Sequence, residues 1–191
     1  MFNAQSPSKF VVKAFMVMAH MAVLSGAAQA APPVTAGKII HSGTGCIAPL
    51  NSAISATPAS TFSIYFNELK IPFNSKPADQ TKTCTLQVQL TPPPGYKLSV
   101  HPAKYDGEIA ALTTGQLTAG HQFAGTNTAP FVKTIAGRKA FSETNLKTTN
   151  FSGCGQPSML DDKIILAVGT GDPAAGYVKA AHYTLNLQPC K

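Results

Sequence analysis

The sequence is short of acidic residues and lacks the compact motifs of several large enzyme classes. Eight of its 191 residues are Asp or Glu, against 15 Lys or Arg, and tryptophan is absent. No G-x-S-x-G nucleophile elbow, G-x-x-x-x-G-K-[ST] phosphate loop or dinucleotide fingerprint occurs. A chain with so few carboxylates offers little material for acid–base catalysis, and no motif indicates a nucleotide-dependent enzyme.

The basic residues and histidines are dispersed. The formal net charge is +7, yet Arg138-Lys139 is the one adjacent basic pair and no aromatic residues interleave with it, so a nucleic-acid surface is not indicated. His121 lies on an apolar strand face and should be a core or rim residue, whereas His182 should face solvent. No metal or cofactor is expected, because metal-ligand spacing is absent among His41, His101, His121 and His182.

The first thirty residues have the pattern of a signal peptide. Lys9 and Lys13 precede an apolar run from Ala14 to Leu24, and Ala28-Gln29-Ala30 is an A-x-A cleavage signal. The run is short for a spanning helix, so an uncleaved anchor is the less favoured alternative. No second apolar run follows. We therefore predict cleavage near Ala30, no transmembrane segment afterwards, and a secreted or periplasmic location.

All four cysteines follow this segment, and their spacing fits no C-x-x-C motif. An even number in an oxidising compartment predicts two disulfides, for which three pairings exist. If Lys163–Val168 and Ala180–Leu187 form an antiparallel pair, the last two cysteines lie at the same end of that hairpin. The expected pairing is then Cys46 with Cys84 and Cys154 with Cys190.

Period-2 alternation of apolar and polar residues is clearest in Cys84–Leu90, which Pro92–Gly95 ends as a turn. Similar short segments recur at intervals of about ten residues, whereas Arg138–Thr149 alone has a weak helical option. This pattern predicts an all-β, antiparallel β-sandwich of jelly-roll type, with a closed barrel as the alternative. We assign 31–42 to an extended N-terminal arm and 43–191 to the single sandwich domain.

Five short motifs, in this order, resemble the secreted domain-of-unknown-function family 4360. They are Gly-Thr-Gly-Cys46, Cys84-x-Leu-x-Val-x-Leu with Pro-Pro-Gly-Tyr96, Tyr105-x-Gly107, Ser-Gly-Cys154-Gly and Tyr183-x-Leu-x-Leu-x-x-Cys190. The resemblance implies a small, exported, cysteine-bearing, β-rich protein, and it supplies no activity or catalytic residues. Members of that family end on an aromatic strand with a tryptophan, whereas this chain has Asn186-Leu187 there.

Few residues are candidates for chemistry. Asp106 and Glu108 are two apart and should share one strand face, either as a solvated polar row or as paired acids for glycoside hydrolysis or a calcium site. Asp161-Asp162, before an apolar strand, should be surface charge, with calcium binding as the alternative.

Four tyrosines, Tyr65, Tyr96, Tyr105 and Tyr177, are candidates for an exposed binding platform, and Tyr96 and Tyr177 lie in or beside loops. We therefore expect a non-catalytic extracellular or periplasmic domain that binds a cell-surface glycan or another protein. The alternatives are a secreted glycan-active hydrolase that uses Asp106 and Glu108, and a structural or effector protein without a small-molecule site.

Overall fold

The computed structural model describes residues 33–47, 50–55, 60–73, 75–110, 114–127, 129–169 and 175–191. In this part of the chain the regular structure is strand, apart from one 3-10 turn at Pro77–Asp79, and no helix could cross a membrane. The predicted signal peptide, 1–30, lies outside the described residues.

Twelve strands within the described ranges form two antiparallel sheets. They are β1 (Thr35–Ser42), β2 (Asn51–Ser55), β3 (Thr61–Tyr65), β4 (Lys70–Ile71), β5 (Thr81–Thr91), β6 (Tyr96–Ile109), β7 (Thr114–Phe123), β8 (Thr126–Asn127), β9 (Phe131–Ala136), β10 (Lys139–Asn145), β11 (Ser158–Val168) and β12 (Gly176–Pro189). Sheet A has the order β1-β5-β11-β7-β8, with β9 also beside β7. Sheet B has the order β10-β6-β12-β3-β2, with β4 also beside β12.

The hydrophobic core lies between the two sheets, and strand alternation creates it. In β5 the residues Cys84, Leu86, Val88 and Leu90 are buried, while the intervening side chains are more exposed. Because successive side chains point to opposite faces, one face of each sheet is apolar and packs on the other sheet. This confirms the predicted β-sandwich.

The proline turn after β5 does not form a hairpin but connects the two sheets. Tyr96 N donates to Pro93 O at 3.1 Å, and Gly95 has a φ of 81°, a conformation that glycine adopts without strain. Since β5 belongs to sheet A and β6 to sheet B, Pro92–Gly95 carries the chain across the core from one layer to the other.

The expected pairing of Lys163–Val168 with Ala180–Leu187 is wrong. These segments lie in β11 and β12, which belong to different sheets: β11 pairs with β5 and β7, and β12 pairs with β3, β4 and β6.

The disulfide pairing is nevertheless the expected one. Cα–Cα distances are 5.2 Å for Cys46–Cys84 and 6.0 Å for Cys154–Cys190. Gly155 N donates to Tyr96 O and Cys190 N to Gly95 O, both at 2.8 Å, so the second bridge forms beside the start of β6.

Two other segments differ from the sequence interpretation. Thr35–Ser42, assigned to an arm, is strand β1 at the edge of sheet A, where it pairs with β5. Lys139–Asn145, in the segment with the helical option, is edge strand β10 and pairs with β6. Both are edge strands with mostly exposed side chains, and therefore their alternation is weak in the sequence.

Candidate functional site

The outer face of sheet B brings polar and aromatic side chains into rows across neighbouring strands. Residues directly opposite each other on antiparallel strands share a face. The strand register therefore gives three rows: Glu108–Tyr177–Lys70, Asp106–Ala180–Tyr65 and Lys104–His182–Ser63. Asp106 and Glu108 thus occupy the same open face, opposite the buried Tyr105 and Ile109.

Asp106 is held by cationic neighbours. Its Oδ2 lies 3.2 Å from His182 Nε2 and 3.3 Å from Lys104 Nζ, and Ser142 also donates a hydrogen bond to the carboxylate. Burial pulls the pKa of Asp106 upward, but the hydrogen bonds from Ser142 and Lys104 and the nearby positive charges outweigh it, so this pKa lies below 3.8. The group is a fixed acceptor rather than a proton donor.

His182 connects Asp106 to Ser63. Its Nδ1 is 2.8 Å from Ser63 Oγ, and the ring meets Tyr65 edge-on at 6.1 Å between centroids. The sequence of groups resembles a Ser–His–Asp triad. However, Ser63 lies in the middle of β3, between β2 and β12, so the backbone N–H groups around it serve strand pairing rather than an oxyanion. The expectation of a simply solvated His182 is therefore wrong, because the imidazole is half-buried and bonded on both sides.

Glu108 is paired with Tyr177. The Tyr177 hydroxyl donates to Glu108 Oε2 at 3.0 Å, and this bond, together with slight burial, raises the pKa of Tyr177. Tyr177 is 41% exposed and Tyr65 39%, so both are large aromatic residues that are accessible on this face.

These rows surround a depression of about 440 Å³ that includes Tyr65, Asp106, Tyr177, Lys179 and His182 in its lining. A second depression, of about 400 Å³, shares Tyr177 and Lys179 and continues towards Asn67 and Lys70. Both volumes fall within the range of about 300–1,000 Å³ that is typical of small-molecule sites.

Lys179 owes its position to a β-bulge. The register of β12 against β6 shifts between Val178 and Ala180, so Lys179 is an extra residue in this strand. Its carbonyl accepts a hydrogen bond from Phe66 N at 2.9 Å, which anchors the bulge to the segment after β3. Among the described residues, the ion pairs of this face are His182–Asp106, Lys104–Asp106 and Lys70–Glu68, and none involves Lys179.

A sequence profile described as "Domain of unknown function (DUF4360)" matches residues 33–189. The chain belongs to the DUF4360 family. This confirms the resemblance derived from the cysteine-bearing motifs. No curated protein matches the sequence.

Three solved structures are distantly similar to this DUF4360 chain. A family 36 carbohydrate-binding module in complex with calcium and xylotriose is 13% identical, with a TM-score of 0.31, and covers 76% of this chain and 99% of that chain. A family 61 module in complex with β-1,4-galactotriose is 12% identical, with a TM-score of 0.32, covering 77% and 92%. A family 11 module from Clostridium thermocellum is 7% identical, with a TM-score of 0.24, covering 80% and 87%. TM-scores this low support no inference about a site.

Tyr96 is not part of this site in the DUF4360 domain. It opens β6 and lies opposite Pro189, at the far end of the β6–β12 pair from Tyr177 and Glu108. The structure therefore brings together three of the four surface candidates, Asp106, Glu108 and Tyr177, and leaves Tyr96 beside the Cys154–Cys190 bridge.

The interior of this DUF4360 domain contains a polar cluster that the sequence analysis missed. Asp162, expected at the surface, is buried, and its Oδ2 accepts hydrogen bonds from Tyr105 at 2.8 Å and Tyr183 at 2.5 Å. Burial raises the pKa of Asp162 to about 7, although both hydroxyls oppose that rise. The strand phase could have indicated this position, since Leu160, Asp162 and Ile164 fall on the same face.

His121 lies opposite Asp162 on β7 and is 1% exposed, as its apolar strand face predicts. Burial and the neighbouring His101 lower the pKa of His121 to about 4. Among the described residues no cluster of three His, Cys, Asp or Glu side chains could hold a metal ion, in this interior or elsewhere. Both side chains of this cluster are almost fully buried, whereas the outer face of sheet B has exposed tyrosines beside its polar groups and is therefore the candidate for binding.

Proposed function

We propose that this chain is an exported, non-catalytic binding domain that takes a saccharide on the outer face of sheet B. One observation carries the proposal: Tyr65 and Tyr177, two exposed aromatic residues, line a depression together with Asp106, Lys179 and His182. A rigid aromatic surface is thereby combined with several hydrogen-bonding groups in one concave site.

The chemistry of a sugar matches this combination. A pyranose has apolar C–H faces that can lie on an aromatic ring, and hydroxyls at its rim that donate and accept hydrogen bonds. Tyrosine offers a large amphipathic surface with few rotatable bonds, so little entropy is lost when it contacts a ligand. Asp106 is fixed by its neighbours as an acceptor, and Lys179 can donate to hydroxyl or carboxylate oxygens.

The hydrolase alternative finds less support in the same geometry. Glycoside hydrolysis needs one carboxylic acid whose pKa is raised, so that it can protonate the leaving group. The pKa of Asp106 is lowered instead, and Glu108 accepts a hydrogen bond from Tyr177. Both groups lie on an open sheet face rather than facing each other across a cleft.

Export is proposed from two features. Residues 1–30 have the pattern of a signal peptide, and two disulfides stabilise the sandwich. Disulfides persist in oxidising compartments and are rare in reducing ones. Expression of the full chain with a C-terminal tag should give a periplasmic or extracellular product that begins near Ala31, as checked by N-terminal sequencing.

A glycan array probed with residues 31–191 tests the binding proposal. We expect the wild type to retain one class of saccharide, and Tyr177→Ala to bind it at least tenfold more weakly, because the ring platform is lost. Phe73→Ala is the matched control, since Phe73 is a 59% exposed aromatic outside the depression. Absence of any saccharide binding, or equal losses in both variants, would overturn the proposal, and release of reducing ends would favour the hydrolase.

A further inference from the structure

The two depressions on sheet B adjoin each other, and together they are called the groove below. Tyr177 and Lys179 line both of them, and the row Ala140–Glu108–Tyr177–Lys70 crosses four strands at this point. Three inter-strand steps of about 4.8 Å span roughly 14 Å. A groove of this length suits several linked units better than a single ring.

The charges along the groove are not equally satisfied. Asp106 is paired with Lys104 and His182, Glu68 with Lys70, and Glu108 accepts the Tyr177 hydroxyl. Lys179 takes part in none of the ion pairs of the described residues, and the bulge places it on the wall common to both depressions. Glu108 keeps its negative charge, but it lines neither depression. The charged residues that line them are Asp106, Lys70 and Lys179, so with His182 neutral the lining has one excess positive charge, and Lys179 is its cation without a carboxylate partner among the described residues.

We infer that the ligand is a linear, carboxylated saccharide, one of whose carboxylates binds Lys179 while its rings lie against Tyr177 and Tyr65. This inference rests on the proposed function and adds the ligand class to it. An ammonium–carboxylate pair is a charge-assisted hydrogen bond, about twice as strong as a neutral one. Lysine acts as a point charge and does not demand the bidentate geometry of arginine, so it accepts a carboxylate whose orientation varies along a flexible chain.

Calorimetric titration with matched probes tests this inference. The probes are hexasaccharides of galacturonic acid, mannuronic acid and hyaluronan, each compared with its methyl ester, which keeps the sugar and removes the charge. We expect the wild type to bind at least one acid about tenfold or more tightly than its ester, and added salt should weaken the acid alone. Lys179→Gln should bind acid and ester equally. The control Lys163→Gln removes the same charge from the outer face of sheet A and should keep the preference.

The outcomes separate the two proposals. Equal affinity of the wild type for acids and esters, or binding of neutral saccharides only, overturns the carboxylate inference and leaves saccharide binding intact. A preference that survives Lys179→Gln likewise overturns the role of Lys179. Failure to bind any acidic, esterified or neutral saccharide overturns the proposed function itself.

Discussion

The buried pair Asp162 and His121 should give this protein two opposing pH dependences of stability. In the folded state the pKa of Asp162 is about 7, against an ordinary 3.8, so the folded state binds a proton that the unfolded state has released. The difference of about three units corresponds to about 4 kcal/mol of unfolding free energy. This contribution is fully present below about pH 4 and is lost as the pH rises to about 7.

His121 acts in the opposite direction. Its pKa is about 4 in the folded state, against an ordinary 6.5, so the unfolded state binds the proton first as the pH falls. The resulting stability, about 3 kcal/mol, is present above pH 6.5 and is lost as the pH falls towards 4. Over this window the gain from Asp162 and the loss from His121 largely offset each other in the wild type.

Single substitutions should separate the two contributions. As the pH rises from 4 to 7, the unfolding free energy of Asp162→Asn should increase by about 4 kcal/mol relative to that of the wild type. The reason is that only the wild type has a carboxyl group at this position that must lose its proton. As the pH rises from 4 to 6.5, the unfolding free energy of His121→Gln should instead fall by about 3 kcal/mol relative to that of the wild type. The difference between each variant and the wild type cancels the contributions of groups that the substituted side chain does not contact, such as Asp106, whose pKa is lowered by other neighbours.

The measurement is urea unfolding at each half pH unit, followed by tyrosine fluorescence, since tryptophan is absent and Tyr105 and Tyr183 are fully buried. Variants whose stability differs from that of the wild type by a constant amount across pH 4–7 would refute the assignment of these proton equilibria to the two residues. The same holds if both variants shift with the same sign.

Three further changes have expected outcomes. Serine at both Cys46 and Cys84 should lower the unfolding free energy by about 4 kcal/mol, because the bridge closes a loop with a sequence separation of 38; an unchanged urea midpoint would contradict this. Gly43→Ala should cost at least about 1 kcal/mol more than Gly125→Ala in thermal melts, since both have a positive φ but only a Cβ at Gly43 would collide with Thr83 O; equal costs would refute the steric argument. Tyr183→Phe should destabilise by about 2 kcal/mol at pH 8, and less at pH 5, because the charged Asp162 loses a hydroxyl donor; a pH-independent loss in denaturant titrations would speak against it.

Alternation was sufficient to predict the sandwich and most of its longer strands, because each of these has one face in the core, whereas the mostly exposed edge strands β1 and β10 were missed. It also carried the phase information that places His121 and Asp162 inside, although the charge of Asp162 favoured a surface assignment. The pairing of β11 with β12 was wrong because strands that follow each other in sequence are neighbours only about two-thirds of the time. Here the chain crosses between sheets at that point.

The arrangement of the candidate binding face could not be predicted for a related reason. Ser63 and His182 are 119 residues apart, and they meet only because β3 and β12 are neighbours in the same register. Asp106 and Glu108 could be assigned to a common face from their spacing, whereas their cationic and tyrosine partners depend on long-range strand order. The bulge that positions Lys179 leaves no recognisable mark in the local sequence.

The position of β12 determines when sheet B can assemble. This strand is the shared neighbour of β3, β4 and β6, yet it is the last of the twelve to leave the ribosome. Until β12 is synthesised, β3 and β6 have no strand between them with which to pair. The pairing of β12 with β3 then joins residues more than a hundred positions apart. Such non-local assembly is slow. Sheet B therefore closes only once β12 has been synthesised, and this delay is compatible with the export proposed above.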